Sequence, residues 1–132
     1  MNLTQIAKLF DSLFKGIAVH PAFVQEFYQC IAATGYEEQV RKALIRALMI
    51  LNTLGTIATR HDGFEVLKGS GGIYSMHLEG KSFNLRVLYG FLPSQEPVLL
   101  LCFQERVGNK KTEYAAYTAP AASRLTEMKE GK

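Results

Sequence analysis

The chain has 132 residues, 48% of them hydrophobic and 20% charged, with 15 lysines and arginines against 12 acids, a net charge of +3. That length suits one domain, and the apolar fraction is too high for a disordered polar tract. No clean apolar run approaches the ~20 residues of a membrane helix, the longest being Val98 to Phe103, and Lys8, Asp11 and Lys15 interrupt the place of a leader's apolar core, so a soluble, cytoplasmic domain with no membrane partner is expected. The positive charge is uneven: residues 104–132 hold six cations and four acids, with Arg106, Lys110 and Lys111 close together. Such a spot suits either a solvated loop or an anionic partner such as nucleic acid.

Leu3, Ile6, Phe10, Leu13 and Ile17 recur every three or four residues and predict a first helix, opened by Asn2 and Gln5 as a capping box and stopped at Gly16. A second helix is predicted to start at Pro21, carry Phe23, Phe27 and Ile31 as its apolar stripe, and end at Gly35. A third follows, with Glu37 and Glu38 at its positive end and Val40, Leu44, Ala47, Leu48 and Leu51 turned inward. Arg41, Lys42 and Arg46 lie on its outer face, and it frays near Gly55.

Beyond Gly55 the period changes to two. His61-Asp62-Gly63 and Gly69 to Gly72 have turn chemistry. Ile73 to Leu78 and Phe83 to Phe91 predict a hairpin around Glu79-Gly80-Lys81-Ser82. Alternation sends Phe83, Leu85, Val87, Tyr89 and Phe91 to one face and Arg86 to the more polar one. Val98 to Phe103 is apolar on both faces, the mark of a central strand. Glu113 to Met128 predicts a last helix whose boundary is blurred by Pro120. The expected architecture is α+β: one domain over 1–132, helices on one face of a small antiparallel sheet, an extra helical segment over 1–20, a short C-terminal helix, and an open sheet face exposing Arg86 beside the basic loop.

His20, His61, His77, Cys30 and Cys102 lack the paired spacings of a zinc site, so no metal and no cofactor are expected, and both cysteines read as inert core thiols. The Gly69 to Gly72 loop lacks the Lys-Ser/Thr of a phosphate-binding loop, and no hydrolase elbow is present. One constellation remains. A meander brings Arg86, Arg106, Lys110, Lys111, Tyr114 and Tyr117 to one side. Arginine forks fit phosphate oxygens and tyrosines stack on unpaired bases, which together describe an RNA-binding groove; the plainer alternative is a structural arginine with surface tyrosines.

The order of elements from Phe23 to Leu125 resembles the RelE/ParE superfamily of bacterial type II toxins, most like its phage-derived HigB-type branch. The segments that carry the likeness are Gly72-Ile73-Tyr74-Ser75-Met76-His77-Leu78, Leu85-Arg86-Val87-Leu88-Tyr89-Gly90-Phe91, Val98-Leu99-Leu100-Leu101-Cys102-Phe103, Lys110-Lys111-Thr112 and Ser123-Arg124-Leu125. The resemblance implies a metal-independent, ribosome-associated mRNA endonuclease held in check by an antitoxin protein. Arg86, Arg106, Lys110, Lys111 and Tyr117 would then act on the scissile phosphate, with Tyr89, Tyr114 and Arg124 as further RNA contacts. Self-association is compatible with it. The chain departs from the pattern at Leu101 and Cys102, where many branch members carry histidine and glycine, and Ile17-Ala18-Val19 is the only candidate for the family's N-terminal strand. The alternative is a noncatalytic relative, either a gyrase-type protein-targeting toxin or an inactivated member.

Overall fold

The computed structural model describes residue 2, residues 4–6, residue 8, residues 16–105 and residues 115–131. Arg106, Lys110, Lys111 and Tyr114 therefore lie outside the described residues, as do Leu3, Phe10 and Leu13 of the first predicted helix. The described part of that helix matches its cap. Asn2 N–H donates to Gln5 Oε1 and Gln5 N–H donates to Asn2 Oδ1, both at 2.8 Å, and Ile6 is fully buried.

The fold is α+β. Helix α1 (Pro21–Ile31) and helix α2 (Glu37–Leu54) precede most of the sheet, and helix α3 (Ala115–Lys129) follows it. Strands β1 (Ala18–Val19), β2 (Phe64–Val66), β3 (Tyr74–Glu79), β4 (Asn84–Phe91) and β5 (Pro97–Gln104) stand in the order β1-β5-β4-β3-β2. Four of them form the antiparallel meander, whereas β1 runs parallel to β5 and makes the sheet mixed. The tripeptide at 17–19 thus does supply an edge strand. β2 falls where only turn chemistry was legible.

Local chemistry explains the helix ends. His20 caps α1, its Nδ1 accepting from Ala22 N–H at 3.1 Å, and Pro21 occupies the first helical position, where a missing N–H costs nothing. The helix stops at Ile31 rather than at Gly35, because Ala32 turns to extended backbone and Ala33 takes a positive φ of 59°. Gly55, at φ 57°, ends α2, its N–H donating to Leu51 O, and a 3-10 helix (Gly55–Arg60) continues the chain. The segment Glu37–Arg60 is long and apolar enough to cross a membrane by length and hydropathy, but its Val40, Leu44, Leu48 and Leu51 are buried in the core beneath the sheet.

Both faces of the sheet are covered, which corrects the expectation of an open face. One face presents Met76, Leu78, Leu85, Val87, Tyr89 and Leu99 to α1 and α2. The other presents Ile73, Leu88, Val98, Leu101 and Phe103 to Ala121 and Leu125 of α3. Gly90 is what lets α3 approach: a Cβ there would meet Leu125 Cδ2 at 3.0 Å and Gly72 O at 3.3 Å.

The short β1 leaves part of β5 without a strand neighbour, and side chains replace it. Pairing shifts by one residue at Leu88/Tyr89, leaving Leu100 as the extra residue of a bulge. Arg124 Nη1 donates to Leu100 O at 2.8 Å, while Cys102 N–H donates to Glu26 Oε1 at 3.3 Å. Arg124 and Glu26 close the arrangement through a two-pronged contact of 2.8 and 2.6 Å. One ion pair thus satisfies the strand edge and clamps α3 to α1.

Candidate functional site

Arg86 is the centre of the polar end of the sheet. Cross-strand pairing sets it between His77 of β3 and Phe103 of β5, on the face that also carries Glu79, Asn84 and Glu105. Its guanidinium is almost fully buried. Nη1 donates to Asn84 Oδ1 at 2.5 Å and stands 3.6 Å from Glu79 Oε2, and Nη2 stands 2.5 Å from Glu105 Oε1. The Glu105 contact is a charge contact without a well-aligned hydrogen bond, since Oε1 is buried and makes no directed bond. Among the described residues two carboxylates face the one guanidinium, so Arg86 is not the bare cation expected from alternation alone.

His77 lies on the same face, its Nε2 3.0 Å from Glu65 Oε1. Tyr117 of α3 stacks on Phe103 with ring centres 3.8 Å apart and planes within 2° of parallel. Arg86 and Tyr117 therefore do share one side of the sheet, through the intervening Phe103. A cleft of about 590 Å³ opens at the hairpin end of the sheet, lined by Glu79, Asn84 and Glu105, the partners of Arg86, together with Lys81 and Ser82 of the hairpin turn. A second cleft of about 420 Å³ shares that turn. Lys42, Arg46 and Lys81 surround it, above the stacked rings of Tyr36 and Phe83. Two of the three outward cations predicted on α2 thus line a concavity rather than a plain wet face.

Two expected RNA contacts are corrected. Tyr89 is fully buried, its ring enclosed by Phe64, Tyr74 and Phe91, so no base can stack on it. Burial, with a smaller contribution from Tyr74, pushes its phenol well above the usual range. Arg124 is spent on Glu26 and Leu100 O; the Glu26 carboxylate holds its guanidinium even more firmly protonated than usual. It is a structural clamp. The two cysteines are not isolated core thiols either, since their sulfurs touch at 3.9 Å.

Glu65, Glu79 and Glu105 are the polar residues that reading along the chain missed; His77 is legible there as the one histidine of the strands, on the face opposite Tyr74, but with no catalytic part. The hairpin register was the available signal: turning at 80–83 pairs Glu79 with Asn84 and His77 with Arg86, placing all four on one face. Chemically this end of the sheet combines a phosphate-shaped donor fork, carboxylates that accept protons and a histidine that passes them. Among the described residues no group of three or more metal-ligating side chains converges. Compared with models of known protein families the chain matches none, and a comparison with curated proteins finds no relative.

Proposed function

We propose that this chain is the toxin of a bacterial type II toxin–antitoxin pair, built on the RelE/ParE plan and acting in the cytoplasm as a ribosome-associated mRNA endonuclease that needs no metal. The observation that carries the reading is the buried Arg86 fork, engaged by Glu79, Asn84 and Glu105, which themselves line a cleft, with proton-accepting and proton-passing groups on the same sheet face. Cleavage of RNA by its own 2′-oxygen requires three things: a base for the 2′-OH proton, cations for the phosphate oxygens and a donor for the leaving 5′-oxygen. A phosphate entering the fork displaces Glu105 from Arg86. The freed carboxylate is then positioned to take the 2′-OH proton, with His77 returning one to the leaving oxygen. Tyr117, half-buried on Phe103, offers a ring beside the path. Lys42, Arg46 and Lys81 line the second cleft and offer positive charge to an RNA backbone that runs from there over the hairpin turn to the first. The antitoxin is a protein that covers this face.

The pairing of Arg86 with two carboxylates favours a second reading, a noncatalytic member that binds a protein target instead of RNA. Inducible expression separates the two, with growth and mRNA integrity followed for wild type and Arg86→Ala. The endonuclease reading expects arrest with mRNA loss for wild type and neither for the variant. Arrest with intact mRNA supports the protein-targeting member. The absence of arrest contradicts a toxin altogether.

A further inference from the structure

Cys30 and Cys102 are far apart in sequence, yet the fold brings them into contact. Cys30 sits in the last turn of α1 and Cys102 in the centre of β5, with the Cys102 thiol donating to Cys30 Sγ across 3.9 Å. Cys30 is partly exposed, whereas Cys102 is buried. The backbone is held on both sides of the pair, through Ala32 N–H on Tyr28 O next to Cys30 and through Cys102 N–H on Glu26, so the movement must come from the side chains. Helix α1 ends one residue after Cys30, and the chain turns at Ala33 with positive φ. The sulfurs of a disulfide lie about 2 Å apart, so closing the gap asks roughly 1 Å of each sulfur, within reach of side-chain rotation at a helix end. The same hydrogen bond holds the Cys30 thiol below the ordinary range, against the opposing effects of burial and Glu26, and with burial pushes Cys102 well up.

We propose that Cys30 and Cys102 form a reversible thiol–disulfide site whose oxidant is a small peroxide, with Cys30 the reacting thiol and Cys102 the resolving one. The Cys30 thiolate attacks one peroxide oxygen and the O–O bond breaks; the departing oxygen takes a proton and leaves as water, and Cys30 becomes a sulfenic acid. Cys102 sulfur then attacks Cys30 sulfur. The S–OH bond breaks, the hydroxyl leaves as water with the Cys102 proton, and the two electrons lost by the thiols have reduced the peroxide. Division of labour follows from access: only Cys30 meets an oxidant, and only Cys102 stands close enough to resolve it. The site is independent of any action on RNA.

The test is intact-mass analysis of the full chain treated with equimolar hydrogen peroxide, followed by unfolding and alkylation. Wild type is expected to lose two hydrogens, to remain a single chain, to take up no alkylating reagent, and to recover both thiols with dithiothreitol. Its urea midpoint should rise on oxidation. Cys102→Ser should stop at a sulfenic acid on Cys30, trapped by dimedone, and Cys30→Ser should leave Cys102 unmodified. The wild-type result depends on no variant folding and decides whether the internal bridge forms, while the variants decide which thiol reacts first. Cross-linked dimers, sulfinic or sulfonic acid on Cys30 without an internal bridge, or equal oxidation of Cys102 in Cys30→Ser would each overturn the proposal.

Discussion

Tyr89 carries a buried hydroxyl that finds no hydrogen-bond partner among the described residues, in the core of aromatic rings around it. An unsatisfied buried hydroxyl costs free energy, while the ring itself contributes packing and apolar burial. Tyr89→Phe keeps the ring and deletes the orphan, so it should stabilise the fold by about 1 kcal/mol, read as a higher urea midpoint. Alkaline behaviour should change with it. The folded phenol is shifted upward, so the stability it confers is complete below the unfolded value of about 10 and is lost as pH rises from there through the folded value. Wild type should therefore lose urea resistance above pH about 10 more steeply than Tyr89→Phe. Parallel loss in both proteins would show that Tyr89 is not the titrating group. At Arg86 the residue-scale lesson is the reverse. A side chain that alternation placed on the polar face is buried all the same, because Asn84 accepts a hydrogen bond from it and Glu79 and Glu105 balance its charge.

Secondary-structure elements are held together by a small number of polar and steric devices. Arg124 joins α3 to both Glu26 and the unpaired edge of β5. Arg124→Ala leaves a partly buried carboxylate and an edge carbonyl without this partner, at an expected cost of about 2 kcal/mol in urea unfolding. At Gly90 the constraint is steric. Gly90→Ala drives a methyl group against Leu125 and Gly72 O, and should lower stability by about 1–2 kcal/mol while loosening α3, detectable as faster amide exchange in that helix. A wild-type exchange rate in Gly90→Ala would mean that α3 does not depend on this close approach.

Much at this scale was legible beforehand. Apolar repeats of three and four placed α1 and α2, alternation placed β3 and β4 with the hairpin between them, and an unbroken apolar run placed β5. β1 and β2 were harder, since two or three residues are too few to show a period, and Phe64–Val66 is bounded by turn residues. The covered second face had a visible cause in Val98 to Phe103, apolar on both sides and in need of a cover on each. Pro120 obscured that cover, because a proline within a helix blurs where the helix begins. The candidate site was half legible. Arg86 and Tyr117 follow from spacing, but the carboxylates that engage Arg86 follow only from cross-strand register and from the residue just past β5.

Taken whole, the molecule is a mixed sheet closed on one side by α1 and α2 and on the other by α3, with its polar chemistry concentrated where β3, β4 and β5 reach the hairpin end. Two clefts meet at the 80–83 turn and share Glu79 and Lys81; among the described residues the first adds Glu105, and the second adds Lys42 and Arg46 of α2. This asymmetry is the physical basis of the proposed action on RNA: cations hold the strand, and the Arg86 end exchanges an internal carboxylate for a phosphate. The most direct measurement incubates the purified protein with ribosomes translating a defined mRNA and maps the product ends, for wild type and Glu105→Gln. The account predicts cuts by wild type that leave 2′,3′-cyclic phosphate ends, and a loss of at least about a hundredfold in rate for Glu105→Gln, the loss of one proton-transfer group. Intact mRNA with wild-type protein, or equal cutting by both, would contradict it.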